Sequence, residues 1–392
     1  MKEGSKISSQ GEITDGCQEI GEEALWGLVR AVGGSSGVQI KECELIDSES
    51  RNPIYRVALS QDSSFGSQTV IAKTYLAQRD RFFDHRFRRE EKILSLLNRW
   101  YAQAVPAIYG GCLAEGRYAI LLLEDLGDAS LERRLRLAGQ EEKSSLLRQA
   151  VDCLVGFQKV TSAKGNFVAF YRTCYSIDLD RLTIATYLER LAMALRRILW
   201  VRSLMGRPAE VAGVPDTLPE LDTLMEYRDW RRLRRSYATR VARVLTQTPK
   251  YIVHNSFSPL NLMLHRDRLK IIDFETMALG PLQIDLVELL KYPACDLSPD
   301  MVDQLIGYYL NRSGLDSGSE SQDSFMRVFD CANLSRGLDY AGTVSWRYLT
   351  FLKARNRERA QEYLRRRAWY LDDLRRVVAK FDGLEEMLSI LV

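Results

Sequence analysis

Four side chains in this 392-residue chain, Lys73, Glu90, Asn261 and Asp273, have the types and the order needed to handle a polyphosphate and a hard metal ion. A lysine ammonium can neutralise phosphate oxygens, and an amide oxygen together with a carboxylate can hold Mg²⁺, which prefers oxygen ligands. Asn261 closes the stretch His254-Asn255-Ser256-Phe257-Ser258-Pro259-Leu260-Asn261, and Asp273 follows in Ile271-Ile272-Asp273-Phe274-Glu275. The chemistry this set suits is phosphoryl transfer from ATP, in which a protein mostly positions reactants and neutralises charge. Lys73 lies in the strand-like Val70-Ile71-Ala72-Lys73-Thr74-Tyr75. Glu90 shares a helical face with Ile93, Leu94 and Leu97, so an apolar face turned to a sheet carries Glu90 inward as its partner. Taken singly, each has a plainer reading. Lys73 fits a solvated strand end, Glu90 a surface helix former, and Ile-Ile-Asp-Phe a buried strand ending in a turn.

Such residues need a scaffold of two parts. At this length the chain exceeds the usual ceiling for one hydrophobic core. Residues 1 to 14 are polar, and Glu19 to Val32 has helical spacing up to Gly33-Gly34. Strand periodicity follows at Val38 to Ile46, Ile54 to Leu59 and Thr69 to Tyr75. Arg81 to Tyr101 is an amphipathic helix, and Ile108 to Ala114 and Arg117 to Leu123 are strands joined at Glu115-Gly116. The result is a five-stranded sheet with one inserted helix. Beyond residue 126 the pattern turns helical: Ser130 to Ala138, Lys143 to Val160, Asp178 to Leu204 and Leu218 to Leu245. A hairpin, Leu262 to His265 and Leu269 to Ile272 turning at Arg266-Asp267-Arg268, separates Asn261 from Asp273. Helices return from Ile284, interrupted by a Ser/Gly/Asp-rich loop at 312 to 323. The expected division is 1–36 as tail and helix, 37–126 as a nucleotide-binding β lobe, and 127–392 as a helical lobe with the catalytic loop and acceptor site.

Position 256, two after His254 and five before Asn261, stands where a protein kinase carries its catalytic Asp, so that one loop delivers a base and a metal ligand. The whole pattern resembles the aminoglycoside phosphotransferase and choline kinase superfamily. Its hallmark is similar to His-Gly-Asp-x-x-x-x-Asn, a short hairpin, Ile-Asp-Trp/Phe-Glu, and a later Gly-Pro/Asp-x-x-x-Asp-Leu. Here these stand as residues 254–261, Ile272-Asp273-Phe274-Glu275 and Gly280-Pro281-Leu282-Gln283-Ile284-Asp285-Leu286. Leu122-Leu123-Glu124-Asp125-Leu126-Gly127 resembles the family's hinge, whose backbone at Glu124 and Leu126 would receive adenine. The likeness spans roughly residues 40 to 310 and implies an α+β, bilobal, protein-kinase-like fold with a small five-stranded antiparallel β lobe and a larger, mainly helical lobe. It further implies ATP and Mg²⁺ as cofactors, and it places Ser48 to Asn52 over the phosphates although that stretch lacks glycine. His254 would brace the catalytic loop and Asp285 would support it, whereas His85 and His265 acquire no role.

Ser256 departs from the family pattern. A serine hydroxyl is no useful base at neutral pH without an activating neighbour, and general-base help contributes about 10²- to 10⁴-fold. Three readings follow: a slow or atypical phosphotransferase acting on a small-molecule hydroxyl, an inactive nucleotide-binding pseudokinase serving a protein partner, or a substitution introduced by engineering. The survival of Lys73, Glu90, Asn261 and Asp273 favours the enzyme. Asp229, Asp330 and Asp339 are candidates to meet a cationic amine or sugar acceptor. A net charge of +3 argues for neither nucleic acid nor membrane, and the Arg-rich stretches 231–235 and 355–376 read as solvated helix faces. Trp346, Trp369 and Tyr370 read as filling a helical core. Seven scattered cysteines and the absence of an apolar N-terminal stretch point to the cytosol.

Overall fold

The computed structural model describes Leu25 and residues 27–29, 40–47, 52–60, 68–174, 183–205, 218–293, 295–315 and 319–391. The polar start of the chain, most of the Glu19–Val32 helix, Ser48 and the first part of the Asp178–Leu204 helix lie outside those residues. The chain divides into two compact units, one of Met1–Arg134, Lys159–Ile177 and Leu260–Met277, the other of Leu135–Gln158, Asp178–Pro259 and Ala278–Val392. Among the described residues no helix is long and apolar enough to cross a membrane.

In the first unit, β1 (Ile40–Asp47), β2 (Ile54–Leu59), β3 (Thr69–Leu76), β4 (Ile108–Ala114) and β5 (Tyr118–Glu124) form one sheet in the order β1-β2-β3-β5-β4, antiparallel throughout. Strand alternation sorts the side chains of β3. Val70, Ala72 and Leu76 join Tyr55, Val57, Ile120 and Leu122 in a core with Leu25, Leu28 and Val29. Tyr75 and Lys73 point the other way, towards helix α1 (Phe83–Trp100), where the Tyr75 ring meets Phe87 edge-on at 5.8 Å. The buried stripe of α1, Phe83, Phe87, Glu90, Ile93, Leu94 and Leu97, follows helical spacing, so the carboxylate of Glu90 is carried inward by its apolar neighbours.

A second element of this unit positions the rest of the site. Strands β7 (Leu262–His265) and β8 (Arg268–Ile271) pair antiparallel with His265 opposite Arg268. The turn is therefore the two residues Arg266 and Asp267, both left-handed at φ 48° and 60°, and not the three expected. Two-residue turns of this hand match the twist of the flanking strands.

The second unit contains most of the helices, and the sequence pattern misplaces some of their ends. The expected helix from Leu218 to Leu245 is broken: Leu221–Thr223 is a single 3₁₀ turn, α6 covers Tyr227–Tyr237, a π turn covers Ala238–Ala242, and α7 covers Arg243–Gln247. Leu218 precedes proline, Glu220 is extended, and Glu226 is extended again, which restarts the helix at Tyr227. In the first unit, Lys164–Cys174 forms a helix that the periodicity did not reveal. The Arg231–Arg235 run is exposed apart from buried Leu233, as expected of a solvated face. The Arg355–Arg376 stretch differs: Arg367 is buried and donates to Ser345 Oγ at 3.2 Å. Of the three aromatic residues, only Tyr370 is in the core, and Trp346 and Trp369 are half-buried.

Helices α8 (Ile184–Met205) and α9 (Ser319–Lys353) pack through a glycine. A Cβ on Gly342 would stand 2.7 Å from the Ala194 backbone Cα, whereas one on Gly337 would stand 2.8 Å from Leu374 Cδ2 and 3.3 Å from its Cγ, side-chain atoms that can shift where a backbone cannot. Gly342→Ala should therefore lower the melting temperature, since overpacking of about 1–3 kcal/mol exceeds the roughly 1 kcal/mol gained in helix propensity. Gly337→Ala should leave the melting temperature unchanged or raise it. Equal melting temperatures for the two variants would show that α8 and α9 do not approach this closely.

Candidate active site

Lys73 is 6% exposed, and its ammonium lies 2.8 Å from Glu90 Oε2 and 2.6 Å from Asp273 Oδ1, with Glu275 Oε2 at 3.9 Å. Burial works against the charge of Lys73, but Asp273 and Glu90 outweigh it and hold the ammonium well above the ordinary lysine pKa. Burial pushes the Glu90 carboxyl up, against the pull of Lys73, and Asp273 and Glu275 push it further. The Tyr75 hydroxyl donates to Glu90 Oε2 at 2.6 Å, so the carboxylate is held from the sheet as well. The Asn52 amide donates to Glu275 Oε2 at 2.5 Å, which ties the start of β2 to the same cluster.

Asn52, Lys73, Glu90, Asp273 and Glu275 line a cavity of about 360 Å³ in the first unit, together with Asn261, Glu124, Leu126, Asp47 and the apolar side chains of Ile54, Ile71 and Ile272. Seven residues singled out from the sequence, Asn52, Lys73, Glu90, Glu124, Leu126, Asn261 and Asp273, meet at this one cavity. Asp273 is left-handed at φ 67°, a conformation that an Asp tolerates better than most side chains. Ile272 N donates to Asn261 O at 3.0 Å, so the residue before Asp273 is bonded directly to Asn261.

The donors present fit magnesium. Carboxylate oxygens of Glu90, Asp273 and Glu275 lie within 4.8 Å of one another, and Asn261 adds an amide oxygen to the cavity wall. Three carboxylates face one ammonium, a surplus of negative charge that a divalent cation would offset.

Residues to which the sequence pattern gave no role hold the hinge-like segment after β5. Glu124 accepts from Lys270 Nζ at 2.6 Å and from Ala107 N at 3.0 Å. These bonds lower its pKa in spite of burial. His265 Nδ1 is 3.3 Å from Leu126 O, so His265 and Lys270, one on each strand of the β7–β8 hairpin, grip the two ends of Glu124–Leu126. Arg56 pairs with Asp125 and Asp128, each at 2.7 Å. Only the alternation of the hairpin, which puts both side chains on one face, hinted at these contacts.

His254 and Ser256 belong to the second unit. His254 is fully buried, with the rings of Phe157 and Phe257 edge-on at 6.2 and 6.0 Å, and Ser256 is half-exposed. Asp285, in helix α10 (Gln283–Leu290), accepts from His254 N and Asn255 N, both at 2.8 Å. Burial raises the Asp285 carboxyl to about 7, against the pull of those two N–H groups.

The description "phosphotransferase enzyme family" belongs to a family model that matches residues 43–320. The chain is a member of that family. This phosphotransferase-family chain is 26% identical over 286 residues to an N-acetylmuramate/N-acetylglucosamine kinase of Neisseria meningitidis serogroup B, across 71% of this chain and 73% of the relative. Its fold is similar to the streptomycin–ATP ternary complex of APH(2")-IIa, with a TM-score of 0.52 and 14% identity over 88% of this chain and 96% of that one. It is also similar to choline kinase from Cryptosporidium parvum, with a TM-score of 0.52 and 13% identity over 90% and 96% of the two chains.

Two measurements test this geometry in the phosphotransferase-family protein. Lys73→Met and Asp273→Ala should each abolish the rise in melting temperature given by ATP with Mg²⁺, and an unaltered rise in both would remove the cavity from nucleotide binding. Asp285 governs a pH effect. Between about pH 4 and 7 the native state keeps a proton on Asp285 that the unfolded chain has lost, so its contribution to stability declines as pH rises through that window. Asp285→Asn should flatten the dependence by up to about 1.4 kcal/mol per pH unit, read by urea unfolding at pH 5 and pH 7. Parallel curves for the two proteins would contradict the raised carboxyl.

Proposed function

We propose that the protein transfers the γ-phosphate of ATP to a hydroxyl of a small sugar, with magnesium, and that Ser256 orients that hydroxyl instead of deprotonating it. The observation that carries this reading is the buried ammonium of Lys73, held between Glu90 and Asp273 at a cavity with Asn261 in its wall. Magnesium, when bound, neutralises phosphate oxygens. Lys73 supplies a fixed positive charge, Glu90 and Tyr75 keep it aimed, and Asn261 and Asp273 offer metal ligands. In the reaction the bond from the γ-phosphorus to the bridging oxygen breaks and a new P–O bond forms to the acceptor oxygen. The acceptor proton leaves late, to an oxygen of the transferred group. A loose transition state asks little of a base, which is why serine at 256 is compatible with turnover.

The acceptor class is read from charge. Three candidate carboxylates for a cationic substrate are engaged inside the second unit: Asp229 with Arg232 at 3.4 Å, Asp330 with Lys380 at 2.8 Å, and Asp339 with Arg190 at 3.5 Å. That supports a neutral or anionic acceptor over an aminoglycoside or choline. It agrees with the relative named for kinase activity on N-acetylmuramate and N-acetylglucosamine. The cytoplasm supplies both nucleotide and reducing conditions, and the scattered placing of seven cysteines along the sequence supports that location.

Ser256 itself favours a second reading, a nucleotide-binding regulator of a protein partner. The two part on one experiment: ADP release is followed with Mg·ATP and either N-acetylglucosamine or choline, before and after Ser256→Asp. The sugar should support turnover and choline should not, and Ser256→Asp should raise the rate by about 10²- to 10⁴-fold, with Asp273→Ala inactive as control. Nucleotide binding without transfer in any of these proteins would leave the regulator as the correct reading.

A further inference from the structure

Asn255, immediately before Ser256, is left-handed at φ 63° and 7% exposed. Asn tolerates that conformation better than most side chains, and here its surroundings also fix it on both sides. On the N–H side the fixing group is Asp285, whose Oδ1 accepts from Asn255 N at 2.8 Å. On the carbonyl side it is Arg336, on the long helix α9, whose Nη2 donates to Asn255 O at 2.7 Å. Arg336 is in turn held by a buried partner. It pairs with Glu288, one turn beyond Asp285 on α10, and the other oxygen of Glu288 accepts from the Tyr340 hydroxyl. Tyr340 is one turn beyond Arg336 on α9 and stacks on Tyr370 at 5.4 Å.

The peptide unit is rigid and planar, so the carbonyl of Asn255 and the N–H of Ser256 are two ends of one plate. Whatever fixes the carbonyl fixes the plate from which the Ser256 side chain departs. Burying the Arg336–Glu288 pair is costly and gives little net stability, and a hydrophobic pair of similar volume often serves as well. A role in aiming Ser256 accounts for keeping the charges.

We propose that Arg336, held by Glu288 and Tyr340, is a positioning residue that sets the angle of Ser256 by gripping the Asn255 carbonyl. This rests on reading residues 254–261 as the catalytic loop, and the test separates the two claims. Removing Arg336 alone would strand Glu288 as an unpaired buried charge, so the variant is the double replacement Arg336→Met with Glu288→Leu in the full chain. The stabilisation by ATP with Mg²⁺ should be unchanged, because its groups are in the first unit. With N-acetylglucosamine as acceptor, kcat should fall at least about 10-fold with little change in KM for ATP, as expected when geometry at the reacting centre is lost. Arg336→Lys, which keeps a charge for Glu288 but not the planar fork, should recover only part of the rate.

Hydrogen exchange supplies the readout that needs no turnover. Peptides covering residues 251–260 should exchange at least about 10-fold faster in the double variant, while those covering α10 stay protected. Faster exchange in a protein that never transfers phosphate would sink the catalytic reading and keep the grip on the turn. Unchanged exchange, or an unchanged kcat, would overturn the proposal.

Discussion

A lysine ammonium taken out of water is the constraint around which the first unit is organised. An unpaired buried charge costs several kcal/mol, and breaking a buried pair by losing one partner costs about 3–5 kcal/mol. Lys73 therefore requires Glu90 and Asp273 to be where they are, and they are supplied by elements far apart in sequence, α1 and the segment after β8. The alternation of β3 turns Lys73 towards α1, and the apolar stripe of α1 brings Glu90 to meet it. Core packing and site assembly are in this way a single problem: the leucines and phenylalanines of α1 hold a carboxylate that they would otherwise expel.

The second unit handles a different task, holding fixed the left-handed backbone bend at Asn255. Asn255 is bonded at its N–H by the Asp285 carboxyl and at its carbonyl by the Arg336 guanidinium. The Arg336 bond is charge-assisted, and such bonds are about twice as strong as neutral ones, which helps offset a left-handed residue that costs on the order of 1–3 kcal/mol. Asp285 also takes the N–H of His254, so two successive amides share one carboxylate. The result is a short, stiff turn directly before Ser256, built of groups that burial would otherwise penalise.

Much of this was legible in the sequence because the signals were local. The periods of β2, β3 and β4 gave strands that match the observed ones to within a residue, and the stripe Glu90, Ile93, Leu94, Leu97 gave the inward face of α1. Loop spacing picked out Asn261 and Asp273, and Lys73 was picked out by its strand and its order before them; all three line the one cavity. What escaped depends on tertiary neighbours. Lys270 and His265 gain meaning only when the hairpin lies beside Glu124 and Leu126, and Arg336 only when α9 passes the Asn255 carbonyl. The break at Glu226 and the helix Lys164–Cys174 were missed for a related reason: short or interrupted helices are set by packing more than by periodicity.

The β7–β8 hairpin has tolerances that differ along its length. At its root, the Ile272 N–H bond to the Asn261 carbonyl welds two prospective metal-binding positions into one rigid block. At its tip, Arg266 and Asp267 are exposed and make no claim on that block. Extra residues grafted between them would project into solvent and leave the root undisturbed, so the tip is where a tag, a dye or a tethered domain belongs. A single residue added lower down would flip the side chain of the strand that carries it, His265 on β7 or Lys270 on β8, to the opposite side of the ribbon.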